Sequence, residues 1–209
     1  MMAPSNQMEV FFMKRLLFLM TAATALSFAN DSLVPLLSAE EIEVQIQKAA
    51  QQINHDYAGK ELKIVMLMKG ALTVTADLIR HLEIPFTIEY IKTSSYGKNG
   101  TTRGELTIKG LESLQIENQD VLIVDDIFDT GFTMKGVIDS FHQMNPKSLK
   151  SLVLLVKKVE RSISYRPDYV LFDIDNHFVV GYGLDYKEYY RGLPGIFYFK
   201  GDRPPENLN

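Results

Sequence analysis

The chain has 209 residues, 46% of them hydrophobic and 23% charged, which fits one ordinary globular domain with a tail. Its 22 Lys+Arg stand against 26 Asp+Glu, a formal net charge of −4, so it lacks the basic surplus that a nucleic-acid or membrane-surface binder needs; a local cationic pocket is still allowed. The absence of cysteine excludes a disulfide framework, a thiolate metal site and a thiol nucleophile, and the four histidines, His55, His81, His142 and His177, show no metal-ligand spacing.

Met13-Lys14-Arg15 precedes an apolar stretch, Leu16 to Ala29, that ends in small residues before Asn30-Asp31. This has the form of a secretory signal peptide, and is shorter than the ~20 residues a membrane-spanning helix requires, so no stable membrane anchor is expected. An upstream extension is the alternative, since Met1, Met2, Met8 and Met13 are all candidate starts. The composition changes near Asp31, which divides the chain into an N-terminal extension, 1–31, and a domain, 32–209.

Within the domain, Ser38 and Glu41 have the spacing of a capping box, and Ile42, Ile46, Ala49, Ala50 and Ile53 follow near helical spacing. Leu62 to Leu67 reads as a strand, Lys69-Gly70 as a turn, Ala71 to Leu82 as a helix and Phe86 to Ile91 as a strand. The polar, Gly-rich Thr93 to Gly104 reads as a long loop. Val121 to Val124 is an uninterrupted apolar run, as in a strand buried on both faces, and Gly131 to Gln143 a helix closed by Asn145-Pro146. Further strands are expected at Leu152 to Val156, Tyr169 to Phe172, Phe178 to Tyr182 and Ile196 to Phe199. This alternation predicts an α/β fold, a mostly parallel central sheet with helices on both faces, whose ligands sit beyond the carboxyl ends of the strands.

At one such end Asp125-Asp126 is followed by Ile127-Phe128-Asp129-Thr130-Gly131-Phe132-Thr133. Three carboxylates in five residues at the mouth of a buried strand need compensation, because neighbouring like charges raise one another's pKa. Successive strand residues point to opposite sides, so Asp125 and Asp126 suit straddling a polyhydroxyl ligand or a hydrated divalent cation. The turn that opens the following helix offers amides to an anion. Acids for hydroxyls or metal beside an amide nest for phosphate describe a sugar-phosphate site.

The block Val121 to Thr133 resembles the diphosphoribosyl-binding signature of type I phosphoribosyltransferases. Across about 33–200 the chain is similar to the hypoxanthine-guanine branch of that family, through Met68-Lys69-Gly70-Ala71, Ser94-Ser95-Tyr96-Gly97, Leu155-Val156-Lys157, Phe178-Val179-Val180-Gly181-Tyr182 and Leu184-Asp185-Tyr186 with Arg191. The resemblance implies the family's fold, with a small hood over the sheet, and Mg2+-dependent transfer of 5-phosphoribosyl from phosphoribosyl pyrophosphate to hypoxanthine or guanine, giving IMP or GMP.

It also implies roles. Asp129, Thr130, Gly131, Phe132 and Thr133 would cradle the 5′-phosphate, and Asp125 and Asp126 would hold the ribose hydroxyls directly or through magnesium. Asp185 would be a second metal ligand, Lys69, Gly70 and Arg191 would meet the pyrophosphate, and Asp129 would take the purine proton. Lys157 would donate to the 6-oxo oxygen, Phe178 would stack on the purine, Val179 would offer its backbone, and Ser95 and Tyr96 would belong to a closing lid. The chain departs from the commonest pattern at His177, where a Lys often stands, and at Phe132 inside the phosphate turn. A homodimer or homotetramer, small-molecule substrates, no nucleic-acid partner and a cytoplasmic location are further implications, the last at odds with the signal-like N-terminus.

Two rivals remain. Val121 to Asp126 also resembles the start of a response-regulator receiver domain, and Pro167 to Ile174 its phosphoacceptor strand, but only 36 residues follow Asp173, too few for the strand-helix units still required. A xanthine-preferring sibling, or a non-catalytic RNA-binding regulator on the same fold, is the closer alternative, and the regulator would need a basic face.

Overall fold

The computed structural model describes residues 32–94 and 106–201. The chain divides into two compact units, Met1–Val34 and Pro35–Asn209, and the described strands and helices belong to the second, apart from the first residues of the strand that opens it. The signal-like segment and the lid residues Ser95 and Tyr96 lie outside the described residues.

The first strand, β1 (Leu33–Leu37), leads into helix α1 (Ala39–Asp56). Ser38 caps that helix as its spacing predicts: its hydroxyl accepts from the Glu41 amide at 3.2 Å, and Glu41 Oε2 accepts from the Ser38 amide at 2.8 Å. Such a cap contributes about 1 kcal/mol by satisfying amides the first turn leaves unpaired. Ile42, Ile46, Ala50 and Ile53 form the buried stripe.

Strand β2 (Leu62–Met68), helix α2 (Leu72–Leu78), strand β3 (Phe86–Ser94) and the short β4 (Thr107–Lys109) come next. Strand β5 (Asp120–Phe128), helix α3 (Phe132–His142), then β6 (Ser148–Lys157) and β7 (Tyr169–Ile174) complete the larger sheet. Its order is β4-β3-β2-β5-β6-β7, parallel throughout except for antiparallel β4. Alternate residues of β5 divide between two cores, Leu122 and Val124 joining that of α1 and α2, and Val121 and Ile123 joining the one that contains Met134, Val137 and Phe141 of α3. The apolar run is therefore buried on both faces, as read from the sequence.

A second sheet of order β1-β9-β8 is built from β8 (Val179–Val180) and β9 (Ile196–Phe199) with β1, and corresponds to the expected hood. Some expectations are corrected in extent. The second helix stops at Leu78 and tightens into a 3-10 turn at Ile79–His81. The strand expected over Phe178 to Tyr182 is two residues long, because Gly181 (φ 99°) and Tyr182 (φ 49°) leave the extended region. Strands β1 and β4 were not anticipated.

Candidate active site

Strand order reverses at β2 and β5: the chain goes from β2 outward to β3, and resumes at β5 on the other side of β2. Such a switch point opens a crevice at the carboxyl ends of the strands. Lys69-Gly70 follows β2 there, and Asp125 and Asp126 lie in the carboxyl-terminal half of β5, which runs on to Phe128. The Met68–Lys69 peptide is cis. A Cβ built on Gly70 would stand 1.7 Å from Asp126 Oδ2, so a side chain at this position would displace the carboxylate. Gly183 (φ 101°) also approaches Gly70, and a Cβ on it would stand 2.3 Å from the Gly70 carbonyl oxygen.

The two strand-end carboxylates do not diverge as strand alternation predicts. Asp125 Oδ1 accepts from the Asp126 amide at 3.0 Å, and Asp126 Oδ1 accepts from the Ile127 amide at 3.0 Å. Each side chain thus folds back along the strand, and the two carboxyl groups come within hydrogen-bonding reach of each other. Burial first, and then the neighbouring Asp126 charge, push the Asp125 carboxyl well above the usual range; burial also raises Asp126, against the pull of its hydrogen bonds and of Arg191.

Beyond β5 the chain turns through Asp129 and Thr130 into Gly131, which caps α3 at φ 82°. A Cβ on Gly131 would meet Ile163 Cδ1 at 2.1 Å, so the turn is packed from behind by the segment that follows β6. Phe132 is exposed and Thr133 half-buried in the first turn of α3. Parallel pairing of Phe128 with Val156 brings the ends of β5 and β6 together, and Lys157 Nζ lies 3.4 Å from Asp129 Oδ2. Lys157 is largely buried, with 12% of its side chain exposed, against 48% for Asp129, so a shielded cation faces an accessible carboxylate.

The third group comes from the chain between β8 and β9. Arg191 donates to the Gly183 carbonyl at 2.8 Å and pairs with Asp185 Oδ1 at 2.8 Å and with Glu188 Oε2 at 3.1 Å. Glu188 Oε2 also lies 2.8 Å from Lys69 Nζ. On the hood, Val179 is buried and paired with Tyr198, while Phe178 is 39% exposed and packed edge-on against Tyr186, with ring centroids 5.7 Å apart. His177 stacks on Tyr198.

The structure thus joins the expected residues in three sets: Gly70 with Asp125 and Asp126, Asp129 with Lys157, and Lys69 with Arg191 and Asp185 through Glu188. Two residues with evident positional roles were not singled out in the sequence. Arg161 donates to the carbonyl oxygens of Asp129 (2.7 Å), Phe128 (3.4 Å) and Lys157, and its guanidinium lies over the Phe128 ring. It ties the ends of β5 and β6 together, and a loop arginine carries no local signal for such a role. Glu188 is the other.

The carboxylates offer only oxygen ligands, which suit a hard cation. Among the described residues no cluster of three or more carboxylate or imidazole side chains could hold a metal unaided. Magnesium binds through one or two carboxylates and completes its shell with water and substrate phosphate, and Asp125, Asp126 and Asp185 would supply donors of that type.

A phosphoribosyl transferase domain model matches residues 35–187. The chain is 39% identical to the hypoxanthine-guanine phosphoribosyltransferase of Aquifex aeolicus over 163 residues, 78% of this chain and 92% of that protein. Among solved structures, a hypoxanthine-guanine phosphoribosyltransferase from Bacillus anthracis superposes with a TM-score of 0.75 at 36% identity, covering 80% of this chain and 99% of that one. The hypoxanthine phosphoribosyltransferase of Trypanosoma cruzi in complex with the product IMP gives a TM-score of 0.73 at 37% identity, covering 79% and 93%. With this fold, this strand-end acid pair and these similarities, the chain belongs to the phosphoribosyltransferase family, in its hypoxanthine-guanine branch.

Proposed function

We propose that the protein works in purine salvage, transferring 5-phosphoribosyl from phosphoribosyl pyrophosphate to hypoxanthine and guanine with release of pyrophosphate. The observation that carries the reading is the close approach of Gly70 to Asp126 at the β2/β5 switch point, together with the Asp129–Lys157 pair. The relatives named for this activity, and one solved with IMP, support the choice of acceptor.

In this reading the Asp129-to-Thr133 turn receives the 5′-phosphate on the amides that open α3, and Asp125 and Asp126 hold the ribose hydroxyls. Lys69, the Gly70 backbone and Arg191 take the diphosphate. Magnesium, bound through Asp185 or the strand-end pair, would neutralise diphosphate charge as the leaving group departs.

As positive charge gathers on the ribose, Asp129 accepts the purine proton, and its exposed carboxylate leaves room for the ring. Lys157 donates to the 6-oxo oxygen, which favours hypoxanthine and guanine over adenine, whose 6-amino group donates as well. The exposed face of Phe178 stacks on the purine, and the Val179 backbone meets its edge. Ser95 and Tyr96 belong to a lid that excludes water from the donor.

We assign the transferase domain to 32–209 and the enzyme to the cytoplasm, where its donor sugar is made; among the described residues no helix is long and apolar enough to cross a membrane. Uncovered Ile88 and Tyr90 share one face of β3, which supports a homo-oligomer. Incubating the enzyme with phosphoribosyl pyrophosphate, magnesium and each free purine tests the function. IMP and GMP are the expected products; XMP alone would favour the xanthine-preferring sibling, and no nucleotide from any base a non-catalytic module.

A further inference from the structure

Glu188 has no part in the proposed phosphoribosyl transfer, yet its carboxylate occupies the centre of the cationic group. Its Oε2 stands 2.8 Å from Lys69 Nζ and 3.1 Å from an Arg191 guanidinium nitrogen. These are the two cations assigned to the diphosphate, brought together from the turn after β2 and the loop before β9. A carboxylate shared between an ammonium and a guanidinium makes the same charge-assisted contacts that a phosphate oxygen would.

We propose that Glu188 is an internal stand-in for the diphosphate, holding Lys69 and Arg191 until phosphoribosyl pyrophosphate enters and taking them back when pyrophosphate leaves. The inference rests on the proposed transferase function and adds a residue that sets diphosphate affinity. The loop is built to present this side chain. The Glu188 amide donates to Asp185 Oδ2 at 2.8 Å, and the backbone at Lys187 (φ 51°) and Glu188 (φ 72°) is left-handed, a conformation non-glycine residues adopt only when their surroundings hold them there.

The two cations differ in freedom. Arg191 is anchored by the Gly183 carbonyl and by Asp185, whereas Lys69 and Glu188 have side chains 49% and 64% exposed. Contacts between groups so exposed are weak, and a ligand of several negative charges outcompetes a single carboxylate for them. An anion-free site would leave an ammonium and a guanidinium facing each other. Glu188 removes that repulsion in the empty enzyme, and the competition that lowers donor affinity also speeds product departure, a step that often limits turnover in well-evolved enzymes.

The test is calorimetric titration of magnesium with pyrophosphate into the full-length enzyme and its Glu188→Gln and Glu188→Ala variants, together with steady-state kinetics. Both variants are expected to bind pyrophosphate about five-fold more tightly, with the donor KM and the pyrophosphate inhibition constant falling together and the purine KM unmoved. The difference from wild type should shrink as salt is added, because exposed charges are screened. Equal or weaker pyrophosphate binding by the variants of an enzyme that turns over normally would overturn the inference and make Glu188 a positioning residue for the two cations. A wild-type enzyme that neither binds pyrophosphate nor makes nucleotide would overturn the proposed function, and the inference with it.

Discussion

Gly70 and Asp126 meet across the switch point of the sheet so closely that a methyl group on the glycine would lie 1.7 Å from the carboxylate oxygen Oδ2. No left-handed backbone accounts for this glycine, since its φ is not among the positive values of the chain. What excludes a side chain is the carboxylate. Gly70→Ala should therefore fold, with the Asp126 carboxylate turned from its bond to the Ile127 amide, and should lose at least tenfold in donor affinity. Circular dichroism and the donor KM measure the two separately; an alanine enzyme with unchanged donor KM would show that the position of this carboxylate is immaterial.

Asp129 is proposed as the base because its accessible carboxylate lies beside the largely buried Lys157 side chain. Asp129→Asn keeps the shape and removes the proton acceptor, and should lower kcat by about 100-fold or more with little change in either KM. Near-normal kcat in single-turnover measurements would reduce Asp129 to an orienting group.

Arg161 spans three carbonyl oxygens from two neighbouring strand ends. A lysine cannot reproduce that planar fork, so Arg161→Lys should raise the purine KM and lower kcat by about tenfold each, through displacement of Asp129 relative to Lys157. Wild-type kinetics in the lysine enzyme would show that the strand ends hold their register unaided.

Far from the crevice, Tyr169 (2.6 Å) and Lys150 (2.9 Å) hydrogen-bond the Asp56 carboxylate at the end of α1, and in that order hold its pKa well below the usual range. A carboxyl group whose folded pKa is depressed adds stability that is complete above its unfolded value of about 4 and is lost as the pH falls below it toward the folded pKa. Thermal unfolding followed from pH 7 to pH 3 should show this loss in the wild type. Asp56→Asn should be about 1–3 kcal/mol less stable at pH 7 and lose less on acidification. Parallel acid profiles for the two proteins would contradict the assignment.

Much of the fold is legible because its strands are short apolar runs followed by turn residues. Val121 to Thr133 shows a strand, a turn and a helix start in thirteen letters, and the structure places their ends within a few residues of that reading. Strand β1 is not legible because Pro35 interrupts its pattern, which an edge strand tolerates. Strand β4 is three residues on the sheet edge, too short to carry a period. At the site, the motif residues were legible by type and spacing. The folding-back of Asp125 and Asp126 was not, since it depends on side-chain bonds to their own backbone. Glu188 and Arg161 act through contacts with residues distant in sequence, Lys69 in one case and the β5 strand end in the other, and nothing near them in the chain announces those partners.

The central claim is that the acid pair near the carboxyl end of β5, with the turn into α3, exists to seat an activated pentose and its diphosphate. Calorimetric titration of phosphoribosyl pyrophosphate into the full-length enzyme, with and without magnesium, tests it most directly. Saturable one-site uptake that needs the metal and is abolished in an Asp125→Asn, Asp126→Asn enzyme is the predicted result. Equal uptake by the doubly substituted enzyme, or no uptake by the wild type at saturating donor and magnesium, would contradict it.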